Sequence, residues 1–207
     1  MPPKGFAFGL LLLLCAICHV HVAQAANACG DGAACICSGT NVDCSGRSLT
    51  AIPSAIPANT TDLHLGSNSI TSIPASAFAG LTALTKITLS GNPITDMSAT
   101  SFTGLSALTQ LDFFSTQLTS IPAMAFTGLT SLKFMYLYGN KITSFSADVF
   151  TNLTALRILH LYENQITNIA AGAFAGLSSL TSLYLHQNKI TSIPAFAFSD
   201  MVILSEL

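Results

Sequence analysis

One short pattern decides the fold, and it is plainest in residues 156–169, which read Leu156-Arg157-Ile158-Leu159-His160-Leu161-Tyr162-Glu163-Asn164-Gln165-Ile166-Thr167-Asn168-Ile169. With Phe174 and Leu177, one unit reads L-x-x-L-x-L-x-x-N-x-I-x-x-I and then F-x-x-L. The unit returns at a constant interval, as its phenylalanine shows at Phe78, Phe102, Phe126, Phe150, Phe174 and Phe198. Self-similarity at a fixed period of this length predicts a solenoid, in which each unit packs against its neighbours.

Each part of the unit has a predicted place in the solenoid. The alternation with period two in L-x-x-L-x-L predicts a short strand, and stacked strands form a parallel sheet over a shared leucine core. The asparagine is expected to turn the chain and to bond backbone groups left open by the turn. Thr116 stands in its place in one unit, which should weaken that rung. The return segment should bring a second apolar set inward: Ile73, Met97, Ile121, Phe145, Ile169 and Ile193.

The N-terminal segment, residues 1–25, has the layout of a secretory signal peptide. Lys4 precedes an apolar run from Phe6 to Cys18, and small residues follow at Ala23 and Ala25. A membrane anchor is the weaker interpretation, because a spanning helix needs about 20 apolar residues. No second run of that length follows, so we expect no membrane span in this chain. The signal peptide predicts an extracellular protein, either secreted or at the cell surface.

Four cysteines of the mature chain cluster close together, at Cys29, Cys35, Cys37 and Cys44. An even number of clustered cysteines in an exported chain predicts disulfides. A zinc site is the alternative, but spacings of five, one and six residues differ from the usual Cys-x2-4-Cys pairs. The residues alone leave three pairings open.

The repeats and the cysteine cluster together resemble the 24-residue class of extracellular leucine-rich repeats, as in Slit, Toll-like receptors, small leucine-rich proteoglycans and variable lymphocyte receptors. The N-terminal part of the resemblance is Cys29-x5-Cys35-x-Cys37-x6-Cys44, followed by Leu49, Ile52-Pro53 and Ile56-Pro57. It implies bonds between Cys29 and Cys37 and between Cys35 and Cys44. It also implies an α/β leucine-rich-repeat solenoid (horseshoe) with a concave parallel β-sheet and a mostly irregular convex side.

These features divide the chain into three segments. We expect a signal peptide (1–25), a disulfide-stapled N-terminal cap (26–59) and leucine-rich repeats (60–207). The repeats comprise six units and the start of a seventh, with the C-terminal cap absent. The chain stops inside the seventh strand, and Phe196 stands where earlier units carry Ser76 or Thr100. We therefore expect either a truncated product or a second copy that covers the open end by self-association.

The strand residues between the inward leucines should face out of the sheet, and they vary where the core does not. All four tyrosines and all three histidines of the mature chain fall among them. Tyrosine offers a large contact area with a polar tip, which suits recognition. The plainer interpretation is strand propensity, which would also favour valine and isoleucine. The predicted ligand-binding residues are Phe114, Phe134, Tyr136, Tyr138, Ile158, His160, Tyr162, Tyr184 and His186.

Composition and motifs exclude several classes of protein. A net charge of −2 gives no electrostatic reason to expect nucleic acid as a partner. The chain lacks Gly-x-Ser-x-Gly, phosphate-loop and His-Glu-x-x-His motifs, so we expect neither an enzyme nor a cofactor. His160 and His186 could approach each other on neighbouring strands, but one pair is a weak metal signal, and no metal is expected. Sequons stand at Asn59 and Asn152, the second on the return side.

The sequence thus predicts a recognition module that binds a protein or glycan through its concave face. A second hypothesis, which overlaps with the first, is that the chain is an N-terminal fragment of a transmembrane signalling receptor. A structural extracellular-matrix protein, in which repeats assemble laterally, is the third.

Overall fold

The computed structural model describes residues 28–29 and 34–207, so the predicted signal peptide lies outside the described residues. Short strands recur along the chain, and each of the six units contributes one strand to the concave side. Their bounds are β1 (Ile36–Ser38), β2 (Asn41–Asp43), β3 (Asp62–His64), β4 (Ser72–Ile73), β5 (Lys86–Thr88), β6 (Asp96–Met97), β7 (Gln110–Asp112), β8 (Phe134–Tyr136), β9 (Ile158–His160) and β10 (Ser182–Tyr184).

The concave side is one sheet in the order β1-β2-β3-β5-β7-β8-β9-β10. Only the β1–β2 pair is antiparallel; every later pair is parallel, and from β3 onward each step of register is one whole repeat unit. Phe134 therefore pairs with Gln110 on one side and Ile158 on the other. Equivalent residues consequently form straight columns across the sheet, which confirms the predicted concave parallel β-sheet.

The convex side is mostly irregular, as expected. Turns alternate there with a two-stranded parallel sheet in which Ser72 pairs with Asp96 and Ile73 with Met97. Across residues 28–29 and 34–207 it contains no helix. The small second sheet was not predicted, because two residues are too few to show a period.

Two apolar layers fill the interior. The central residue of each concave strand from β3 onward, such as Leu63 or Leu159, is fully buried. Behind it the phenylalanine column forms a spine with ring centroids 5.6–6.3 Å apart from Phe78 to Phe198. Such ring pairs contribute about 0.5–1.5 kcal/mol each beyond the area they bury.

The last unit departs from the prediction for the return segment. Ile193 was expected to point inward, and this was wrong, because its side chain is 53% exposed. Within the described residues no further turn packs against this unit, whereas each earlier unit is covered by the next one. Phe196, Val202 and Leu207 are exposed beside it.

Asparagine side chains form hydrogen bonds that connect neighbouring units. Asn164 donates through Nδ2 to the carbonyls of Leu161 and Leu137, each at 3.0 Å, and accepts the Ile142 N–H at 3.1 Å. The weak rung predicted at Thr116 is confirmed. Its hydroxyl donates only to Asn140 Oδ1, and in the described part of the chain the Ile94 N–H has no hydrogen-bond partner.

The N-terminal cap closes the other end of the sheet. Its disulfides join Cys29 to Cys37 and Cys35 to Cys44, which confirms the pairing implied by the resemblance. Strand β2 pairs with β3 and sets the buried Val42 against Leu63. The cap thereby covers the first leucine layer, which would otherwise face water.

Candidate ligand-binding face

A continuous stack of rings runs across the concave sheet. We call Phe114, Tyr138, Tyr162 and His186 the stacked row. Consecutive ring centroids lie 4.7, 4.5 and 4.7 Å apart, with interplanar angles of 4–7°. The spacing of about 4.8 Å between strands matches the separation of stacked rings, so the straight register brings each ring onto the next.

A second line of side chains runs parallel to the stacked row, two residues earlier on each strand. We call Asp112, Tyr136, His160 and Tyr184 the mixed row. Tyr136 meets the edge of His160 at 5.2 Å, and His160 stacks on Tyr184 at 4.5 Å. Tyr138 also lies 6.5 Å from His160, which joins the two rows.

The structure brings together seven of the nine predicted binding residues through these ring contacts. Phe134 and Ile158 form a pair in the column that lies two residues before the mixed row on each strand. Both are half-buried, and in the described part of the chain Phe134 has no ring partner. These two residues therefore border the ring network and do not belong to it.

A groove of about 320 Å³ lies between the two rows over the third to fifth units. Its lining is Gln110, Asp112, Phe114, Tyr136, Tyr138, His160 and Tyr162. Gln110 and Asp112 were missing from the predicted binding residues, which were chosen for aromatic character. The available signal was the column itself, since Asp112 immediately precedes Tyr136 in the mixed row.

Asp112 is the charged group of this groove and is buried. Gln110 Nε2 donates to both carboxylate oxygens, at 2.9 and 3.1 Å, and the Thr88 hydroxyl donates to Oδ2 at 3.3 Å. The nearest cation is Lys86, whose Nζ lies 3.9 Å from Oδ2. The carboxylate is thus held in a fixed position but only loosely neutralised.

The pKa values of three other groups of the groove, Tyr136, Tyr138 and His160, are shifted in the direction that favours the neutral form. Burial, followed by the charge on Asp112, raises the pKa of Tyr136. Burial is also the largest cause that raises the pKa of Tyr138. Burial lowers the pKa of His160, and the opposing charge of Glu206 is the weaker influence. The groove therefore has a neutral aromatic body and a negative end at Asp112.

The last strand position adds a carboxylate that the sequence reasoning also missed. Glu206 pairs with Ser182 through an isolated bridge and extends the sheet by one position. Its Oε2 accepts the Tyr184 hydroxyl at 2.7 Å and the Ser182 hydroxyl at 3.1 Å. These hydrogen bonds lower the pKa of Glu206. They also fix the direction of the Tyr184 ring.

The two histidines named as a candidate metal pair do not face each other. Each stacks on a tyrosine, His160 on Tyr184 and His186 on Tyr162. Among the residues that the structure describes, no group of three or more His, Cys, Asp or Glu is arranged to hold a metal ion. The same residues include no helix long and apolar enough to cross a membrane.

Both sequon asparagines are exposed. Asn152 has a φ of 68°, in the left-handed region where Gly80, Gly104, Gly128 and Gly176 stand in other units. Asparagine adopts this conformation more readily than most residues with a side chain. The site lies on the convex turns, so a glycan there would leave both aromatic rows uncovered.

Comparisons with known proteins agree with this architecture. The leucine rich repeat family model matches residues 58–118, 114–166 and 154–207, and the leucine rich repeat N-terminal domain matches residues 31–57. The platelet glycoprotein Ib beta chain of Mus musculus is 42% identical over 84 residues, which are 40% of this chain and 37% of that protein. Immunoglobulin superfamily member 10 of Rattus norvegicus is 42% identical over 81 residues, which are 39% of this chain and 3% of that protein.

The crystal structure of a TLR13-ssRNA13 complex superposes with a TM-score of 0.71 and 30% sequence identity. The match covers 82% of this chain and 24% of that one. This chain thus spans at most 37% of the length of these three proteins.

Proposed function

Because this chain belongs to the leucine-rich-repeat family, we propose that it is an extracellular recognition domain, secreted or held at the cell surface, that binds a protein ligand through its concave sheet. The observation that carries the proposal is the pair of aromatic rows between the third and sixth units. These rows interrupt an otherwise small and polar face, since the preceding units place Gly66 and Ser90 in the column of the stacked row.

Strand propensity does not account for this arrangement. Propensity favours aromatic and β-branched residues at any half-buried strand position. The tyrosines instead occupy two of the three outward columns and neighbouring units, where they form one patch. Contiguous patches of exposed apolar surface mark interaction sites, and tyrosine presents such area with little loss of rotamer entropy on binding.

The orientation of the rings favours a protein over a nucleic acid. Each internal ring of the stacked row covers the faces of its neighbours, so that the row offers ring edges and hydroxyl groups to a ligand. Stacking with nucleic-acid bases needs an open ring face, and phosphates need a cluster of cations. In the three outward columns of the first six units, Lys86 is the one lysine or arginine, against Asp62 and Asp112. An RNA ligand such as the one in the TLR13-ssRNA13 complex therefore has no matching chemistry on this face.

Two other roles remain as alternatives. In the first, the domain is the N-terminal ectodomain of a transmembrane signalling receptor, and the greater length of the similar proteins favours it. In the second, the protein is a structural component of the extracellular matrix that assembles through its apolar last unit. The exposure of Phe196 and Leu207 favours that role.

The test is a panel of secreted and cell-surface ectodomains presented as multivalent probes, followed by substitution of the bound surface. Tyr138→Ala and Tyr162→Ala should each weaken the binding of a selected ligand about tenfold or more, as expected for central tyrosines. Ser76→Ala and Asp148→Ala, which change exposed residues of the convex side, are the matched controls. If the two controls lost binding while the two tyrosine variants kept it, the concave site would be contradicted and lateral assembly favoured.

A further inference from the structure

We propose that the groove between the stacked and mixed rows receives a basic side chain of the protein ligand, an arginine or a lysine, whose charge lies against the Asp112 carboxylate. The inference rests on the proposed function and specifies the chemistry of the group that the concave face recognises.

The carboxylate has room for another donor. An ionised carboxylate has about four lone-pair positions. Gln110 Nε2 and the Thr88 hydroxyl account for the hydrogen bonds it receives within the described residues, and Oδ1 accepts only from Gln110. A side-chain amide and a hydroxyl orient the group without neutralising its charge. The Asp112 carboxylate is therefore held in one position and partly desolvated, at one end of the groove.

The cation already nearby is a weak competitor. Lys86 Nζ lies 3.9 Å from Oδ2, beyond hydrogen-bond distance, and its side chain is one-third exposed. Because Nζ lies beyond hydrogen-bond distance, this contact lacks the hydrogen bonds that make charged pairs strong. A ligand that brings its own cation can replace this contact at little cost, and Lys86 can then swing back into water.

The aromatic lining of the groove suits the methylene chain of a basic side chain. Arginine and lysine carry apolar methylene groups that pack along apolar surface while the charged head finds a polar partner. Tyr136, Tyr138 and Tyr162 supply that surface over a volume of about 320 Å³. His160 adds no positive charge to repel the ligand, because burial lowers its pKa. An acidic ligand group would meet only the repulsion of Asp112.

The probe is N-acetyl-arginine amide, compared with N-acetyl-citrulline amide, which has nearly the same shape without the charge. Binding is followed by NMR through the ring resonances of the four tyrosines. The arginine probe should bind about tenfold or more tightly than the citrulline probe, as expected for a hydrogen bond to a charged group. Asp112→Asn should abolish this preference, whereas Asp62→Asn, a carboxylate on the same sheet outside the groove, should keep it.

A second variant guards against a folding defect in Asp112→Asn. Lys86→Gln removes the competing cation, so it should tighten the arginine probe about twofold to fivefold. A damaged protein would not gain affinity, which makes this result specific. Equal binding of the two probes, an unchanged preference in Asp112→Asn, or no saturable shift up to about 50 mM would each overturn the proposal.

Failure of this proposal can be told apart from failure of the proposed function. If Tyr138→Ala and Tyr162→Ala weaken the binding of a selected protein ligand while Asp112→Asn does not, the concave binding site is supported. The proposal that the groove receives a basic side chain is then overturned. If the convex controls weaken that ligand instead, the concave site itself is wrong.

Discussion

Restoring the missing rung of the asparagine ladder should stabilise the protein. At four other rungs, the asparagine Oδ1 accepts a backbone N–H 22 residues earlier at 3.0–3.3 Å, from Ile70, Leu118, Ile142 and Ile166. Nδ2 donates to carbonyls 3 and 27 residues earlier at 2.8–3.0 Å. Thr116→Asn would give the Ile94 N–H its missing acceptor.

The expected gain follows from these contacts. An unsatisfied buried donor costs about 1–3 kcal/mol, and a net hydrogen bond contributes about 0.5–1.5 kcal/mol. The substitution sacrifices the bond from the Thr116 hydroxyl to Asn140. The Leu89 and Phe113 carbonyls gain little, because asparagines already bond to them. We expect about 1–2 kcal/mol of added stability, or about 2–8 °C in melting temperature for a chain of this size.

Thermal and guanidinium unfolding, followed by circular dichroism, measure the effect. Asn140→Thr is the reverse control and should cost more than Thr116→Asn gains, because the Phe113 carbonyl would lose its donor as well as the Leu118 N–H its acceptor. Phe113 occupies a position that other units fill with leucine, so the Phe113→Leu background tests whether the larger ring crowds the new amide. If Thr116→Asn stabilises neither the natural chain nor the Phe113→Leu background, the hydrogen-bond reasoning is refuted.

Two further predictions concern the cap and the groove. Replacing either cysteine pair by alanines should cost about 2.5 kcal/mol in loop entropy, since the separations are 8 and 9 residues. Loss of Cys35–Cys44 should cost more than loss of Cys29–Cys37 in denaturant titrations, because Cys35 and Cys44 are buried; equal losses would contradict this. Because burial lowers its pKa, His160 binds a proton less readily in the folded state, so stability should fall as the pH drops below about 6.5. His160→Phe should flatten that decline in unfolding curves at pH 7 and pH 5, and an unchanged decline would assign it to other groups.

The repeat and its inward residues could be predicted from the sequence because the period is local and uniform. Phe78 and Leu159 recur at fixed spacing, and both are buried. Ile193 follows the same pattern but is exposed, because burial depends on whether another turn covers the unit. A local pattern carries no information about whether a further turn covers the unit.

The candidate binding face was also predictable only in part. Its aromatic columns can be read from the sequence, because a strand alternates its sides and the unit length is constant. The face-to-face stacking of the stacked row was decided by the register of the sheet. It places equivalent side chains of neighbouring strands at the separation of stacked rings. The place of Asp112 at the end of the groove depends in the same way on the pairing of strands from successive units. The sequence by itself determined the solenoid and the identity of its outward residues, whereas the tertiary structure decided which surfaces of those residues a ligand can reach. The physical reason is that side-chain exposure is set by contacts between units, and these form only when the whole array packs.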